Sequence, residues 1–140
     1  MTAGRSDSSE WGRWLEFASD DLAFGESGMA VHPRPAAWNF QQAAEKALKA
    51  VLLAKGMEVP RTHDMAFLLS MLTESIPAAN DLRDNVLALA AITSASRYPD
   101  DGLDVSALDA ANLALAARNI VHWAKRLCAE AGGDVANGLP

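Results

Sequence analysis

The chain has 140 residues, 12 of them basic and 18 acidic, for a net charge of −6 with its histidines neutral. That length holds one domain around one core, and that charge excludes a general nucleic-acid surface built on phosphate neutralisation, leaving an anion only a local basic pocket. Half of the residues are hydrophobic but only 6% are aromatic, and with Ala and Leu as the main fillers the composition favours an all-α fold over strands.

Residues 1–10 are expected to be flexible, and the opening "MTAGRSDSSEWGRW" has no apolar run of signal-peptide length. Periodicity then predicts a first helix from about Trp11 to Gly28, with Trp11, Trp14, Leu15, Ala18, Leu22 and Met29 on one face. The prolines of "VHPRP" stop it, and a second helix, Ala36 to Lys55, is closed by Gly56 as a left-handed cap. These two helices should form an antiparallel hairpin. Thr62 is the expected N-cap of a shorter third helix, His63 to about Glu74, with Asp64 in its first turn. "SIPAAND" breaks the chain before a fourth helix, Asn80 to Ser94, which turns Leu82, Val86 and Leu89 inward. After the long connection "SRYPDDGLDVS", Ser106 caps a fifth helix to about Glu130, and residues 131–140 are expected to be a flexible tail. The economical arrangement is an up-and-down, four-helix-bundle-like domain over residues 11–130, with one short extra helix.

Cys128 is the single cysteine, so no internal disulfide forms, and no Cys and His cluster has zinc-ligand spacing. No segment approaches the roughly 18 uninterrupted apolar residues of a membrane helix. A cytoplasmic protein without metal or cofactor is expected.

No phosphate loop, nucleophile elbow or metal-protease motif is present. What stands out is the second helix. Its apolar side gathers Phe40, Ala44, Ala47, Leu48, Val51 and Ala54, yet Gln41 falls between Leu48 and Leu52 on the wheel and Glu45 borders the same sector. An amide placed there needs a hydrogen-bond partner, either in the protein or on a ligand. Further polar candidates are Lys46 and Lys49 on the same helix, "RTHD" from Arg61 to Asp64, and Arg97 and Tyr98 in "RYP". Glu45 and Lys49 are also spaced as an ordinary helix-surface pair. His63 could bind an anion beside the free N–H groups of a helix start. Arg97 could pair with Glu45 or hold a phosphate, and Tyr98 could stack on a base. On the fifth helix Arg118 and His122 stand one turn apart, on a polar face away from Leu113, Ile120, Trp123 and Leu127.

The stretches "FASDDLAFGESG", "NFQQAAEKALKAVLLAKGMEVPRTHDMAFLL", "SRYPDD" and "ALDAANLALAARNIVHW" together resemble the HEPN family, the higher eukaryotes and prokaryotes nucleotide-binding domain. The resemblance spans about residues 11–127, and its most specific part is Gln41 to Asp64 with "RYP". It implies a five-helix, bundle-like fold, frequent homodimers, and pairing with a minimal nucleotidyltransferase in two-component modules of toxin–antitoxin type. Gln41, Glu45, Lys49, His63, Asp64, Arg97 and Tyr98 then become the candidate nucleotide-binding groove. Ribonuclease members of the wider superfamily carry an Arg and a His separated by four to six residues at the start of the final helix. Here Arg97 has no His in range, and Arg118 and His122 enclose only Asn119, Ile120 and Val121 in mid-helix. The resemblance therefore implies a binding branch rather than a catalytic one, with metal-independent RNA cleavage as the alternative and a purely structural dimer as a further one.

Two pairs of apolar residues fall outside the core stripes. Phe17 and Phe24 are seven apart on the first helix, and Leu108 and Leu115 repeat that spacing on the fifth. Exposed in this way, they predict a self-association surface.

Overall fold

The computed structural model describes residues 3–92 and 104–137. Among these residues five α-helices form: α1 (Ala3–Gly28), α2 (Pro33–Ala54), α3 (Met65–Ser75), α4 (Arg83–Ala90) and α5 (Ala107–Asn137), with a 3-10 segment, Pro77–Leu82, leading into α4. The fold is all-α. Helices α1 and α5 both run beyond the expected 11–130 span, because a helix nucleated by packing extends at little cost per added residue.

Helix α2 is the hub, touching α1, α3, α4 and α5. Its small side chains make this possible: Ala36, Ala37, Ala43, Ala44, Ala47 and Ala50 are all buried, together with Phe40, Leu48, Val51 and Leu52. Trp14 lies against Lys49, Asp21 pairs with Lys46, and Gly25 meets Phe40. Numbers rise along α1 as they fall along α2, so the expected antiparallel hairpin forms. Ala18, Ile120, Ala117, Ala124, Leu68, Leu72, Val86 and Leu89 complete one core.

Element ends depart from expectation in three places, each for a local reason. Pro33 and Pro35 both belong to the first turn of α2 rather than preceding it, since first-turn N–H groups have no intrahelical acceptor and a proline gives up nothing there. The far end behaves as expected: Gly56, at φ 74°, lets its own N–H reach Leu53 O at 2.9 Å and the N–H of Met57 reach Leu52 O at 2.9 Å. Asp64, not Thr62, caps α3, its Oδ1 accepting from the Phe67 N–H at 3.1 Å, while Thr62 Oγ1 accepts from the Asp64 N–H at 3.0 Å. His63 consequently stays outside the helix. The predicted fourth helix starts as the 3-10 segment because Pro77 sits at its head, and α4 ends at Ala90; Leu82, Val86 and Leu89 are buried as expected. Ser106 caps α5 through a reciprocal pair, its Oγ accepting from the Asp109 N–H and its own N–H donating to Asp109 Oδ2, both at 3.0 Å.

Candidate binding site

Gln41, Glu45 and Lys49 follow one another at intervals of four along α2 and form a buried polar row, 0%, 4% and 7% exposed. Glu45 is its centre. Its Oε2 accepts from Lys49 Nζ at 3.0 Å, and its Oε1 accepts from Gln41 Nε2 at 3.4 Å. His63 Nδ1 lies 3.0 Å from Oε2 and 3.2 Å from Oε1; against a carboxylate that nitrogen carries a proton and donates it. Gln41 Oε1 accepts from Gln42 Nε2 at 2.8 Å. Among the described residues no buried side-chain polar atom lacks a partner.

The row answers the desolvation problem that a charge inside an alanine-rich helix creates. Two ions taken out of water are tolerated only with close geometry and supplementary hydrogen bonds, and Glu45 has both. Lys49 also sits 5.7 Å from the centre of the Trp14 ring, which adds a cation–π contact from α1. His63 differs from the other three: its side chain is 76% exposed. One end of its ring is fixed by Glu45, and the rest is open to a ligand. The cap shift from Thr62 to Asp64 makes this contact possible, because a residue inside the first turn of α3 would have its side chain held by that helix.

The structure thus brings together Gln41, Glu45, Lys49 and His63 of the seven predicted groove residues. Asp64 lies beside them in sequence, with one carboxylate oxygen committed to capping α3. Arg97 and Tyr98, and with them the expected Glu45–Arg97 pair, lie outside the described residues. Lys46 turns from the row and pairs with Asp21 of α1.

A groove adjoins the row where α1, α2 and the loop after α2 meet. It encloses about 500 Å³ and is lined by Glu10, Arg13, Trp14, Phe17, Lys46, Leu53 and Val59. The Arg13 guanidinium stands 5.6 Å from the centre of the Phe17 ring. Sequence reasoning placed Trp14 in the core stripe; the signal that it also walls a groove was its position on the edge of that stripe, next to Arg13 and Phe17.

On α5, Arg118 donates to Glu26 of α1, tying the two helices together, while His122 is exposed. Phe17, Phe24, Leu108 and Leu115 are all exposed, at 49%, 71%, 71% and 53%. Phe17 and Phe24 share one side of α1. On its wheel Phe17 and Phe24 fall on the Asp21 edge, facing away from Glu26, which marks the edge toward α5. Cys128 is buried, and burial pushes its thiol up to about 12. Among the described residues no group of three or more His, Cys, Asp or Glu could hold a metal ion, and no helix is long and apolar enough to cross a membrane.

No curated protein matches the chain. Among solved structures it is similar to TT1696 from Thermus thermophilus, with 27% identity over 84% of this chain and 97% of that one and a TM-score of 0.76. The family model for the HEPN domain matches residues 12–127, the stretch that contains most of the α1–α2 hairpin, the Gln41–Glu45–Lys49 row and His63. This chain belongs to the HEPN domain family.

Proposed function

We propose that this chain is a non-catalytic HEPN-type module that binds a nucleotide or a protein partner, working beside a minimal nucleotidyltransferase in a cytoplasmic two-component system of toxin–antitoxin type. The observation that carries the non-catalytic part is the ion pair between Arg118 and Glu26. Metal-independent cleavage by Arg118 and His122 would need a guanidinium free to hold the scissile phosphate while the imidazole moves a proton, and here the guanidinium is engaged by a carboxylate from another helix. In this reading Gln41, Glu45 and Lys49 act from within, holding His63 at the surface, where it meets the ligand together with Asp64, Arg97 and Tyr98. The exposed pairs on α1 and α5 serve a homodimer.

Incubation of the purified protein with RNA, with and without His122→Ala, tests the first part. Intact RNA is expected with both proteins. Cleavage by the wild type that disappears in the variant would establish the ribonuclease alternative. Titration calorimetry with nucleoside triphosphates, inspection of the neighbouring reading frames for a minimal nucleotidyltransferase, and co-purification with any such protein test the binding part. A module that takes up neither ligand would leave only the structural role.

A further inference from the structure

The buried row is built around a side chain that is itself at the surface. Glu45 already has Lys49 and Gln41 as donors within α2, yet both of its oxygens also face His63 Nδ1, at 3.0 and 3.2 Å. With the Nδ1 proton held there, the neutral ring carries its lone pair on Nε2, and the His63 side chain is 76% exposed. The backbone on either side is pinned as well: the Thr62 N–H donates to Pro60 O and the Asp64 N–H to Thr62 Oγ1, both at 3.0 Å. A carboxylate that fixes an imidazole through one nitrogen and leaves the other free orients a histidine for attack on an electrophile. The chain has three histidines, and His32 and His122, also exposed, have no side-chain partner among the described residues. His63 alone is prepared in this way.

The surroundings choose the electrophile. Met65 and Ala66 open α3 directly after Asp64, and their N–H groups lie ahead of any intrahelical acceptor, so the helix start beside His63 favours negative charge. Arg61, exposed and without an ion pair among the described residues, stands two residues before it. Asp64 is the carboxylate that opposes them, with one oxygen taken up by the Phe67 N–H. An anionic phosphoryl group uses these donors, where a neutral acyl group would leave them idle. The geometry points to His63 Nε2 as the site of a covalent phosphoryl modification, taken from a small phosphoramidate donor. The Nε2 lone pair forms a bond to phosphorus as the P–N bond of the donor breaks, and ammonia leaves from the protonated donor nitrogen with that bond's electron pair. Nδ1 keeps its proton, and the positive charge left on the ring is held by Glu45. The chain is the acceptor in this step and turns nothing over. The modification therefore goes beyond the proposed binding role, and it does not depend on which ligand that role takes.

Timed incubation of the purified protein with potassium phosphoramidate tests the assignment, read by peptide mass spectrometry without acid treatment and by phosphorus NMR for the ring position. Expected is labelling of His63 about tenfold or more faster than of His32 and His122, and on Nε2. Glu45→Gln, shown to be folded by a thermal melt, should bring His63 down toward the rate of the other two, and His63→Gln should remove the fast label and leave theirs. Labelling of all three histidines at one rate in the wild type would overturn the assignment, and that comparison needs no variant if Glu45→Gln unfolds. A fast label on Nδ1 of His63, or one that a folded Glu45→Gln leaves unchanged, would overturn the part given to Glu45. Diethyl pyrocarbonate, a neutral acylating reagent, tests the choice of group. Arg61→Gln should slow the phosphoramidate reaction at His63 and not the acylation, and equal slowing of both, or of neither, would overturn the preference for phosphoryl.

Discussion

Replacing Glu45 with Gln keeps the length of the side chain and removes its charge, and the structure sets how much stability should be lost. An exposed ion pair contributes about 0–1 kcal/mol. Glu45 and Lys49 are 4% and 7% exposed, and breaking a buried pair by removing one partner costs about 3–5 kcal/mol, since the remaining charge is left uncompensated. Lys49 would keep the Trp14 ring at 5.7 Å, a contact worth about 0.5–2 kcal/mol. The expected loss is therefore near the lower end, about 3 kcal/mol, a large part of the roughly 5–15 kcal/mol that holds a domain folded. Lys49→Met should cost less, about 1–3 kcal/mol, because Glu45 retains the donors Gln41 and His63. With both charges removed, the double variant should be more stable than the two separate losses imply, by about 1 kcal/mol or more. Urea unfolding of the four proteins measures every leg of this cycle. A Glu45→Gln loss below about 1 kcal/mol, or strict additivity in the double variant, would refute the account of the row as a coupled buried unit.

Two glycines of α1 should respond oppositely to the same change. A Cβ at Gly25 would stand 2.6 Å from Phe40 Cε1, so Gly25→Ala should lose about 1–3 kcal/mol to overpacking, more than the roughly 1 kcal/mol of helix propensity it gains. Gly12 has nothing within 4 Å of its Cβ position, so Gly12→Ala should be stabilising; equal effects in urea melts would refute the close approach of α1 and α2. Cys128, raised from 9.0 to about 12 by burial, should react with a disulfide reagent at mild alkaline pH only as fast as the protein opens. Between those two values the unfolded chain gives up the thiol proton that the folded chain keeps, so Cys128 makes stability fall as pH rises from 9.0 toward about 12, and in an alkaline urea series Cys128→Ala should remove that part of the slope. Light scattering at micromolar concentration should give a dimer mass that Phe17→Asp with Leu115→Asp reduces to the monomer. A monomeric wild type would refute self-association, and a dimer indifferent to both changes would put the interface elsewhere.

By itself the sequence determined what depends on neighbours along the chain. Apolar spacing of 3.6, the prolines of "VHPRP", Gly56 and Ser106 were enough for an all-α hairpin-based bundle and for most of its core, because helix hydrogen bonds and caps close within a few residues. The anomaly of Gln41 and Glu45 was also legible, since a wheel shows which side a residue takes. What stands across from that side is a matter of three-dimensional placement, and tertiary structure alone decided it. Beyond its own helix, the partner of Glu45 within the described residues is His63, eighteen positions on, freed by a cap at Asp64, two residues later than the expected Thr62. Lys46 went to Asp21 and Arg118 to Glu26, removing from service two cations that spacing alone left available. The groove at Trp14 exists only because α1, α2 and Val59 meet there. No local pattern encodes the space between elements, because its walls come from residues whose proximity is created by packing the whole chain.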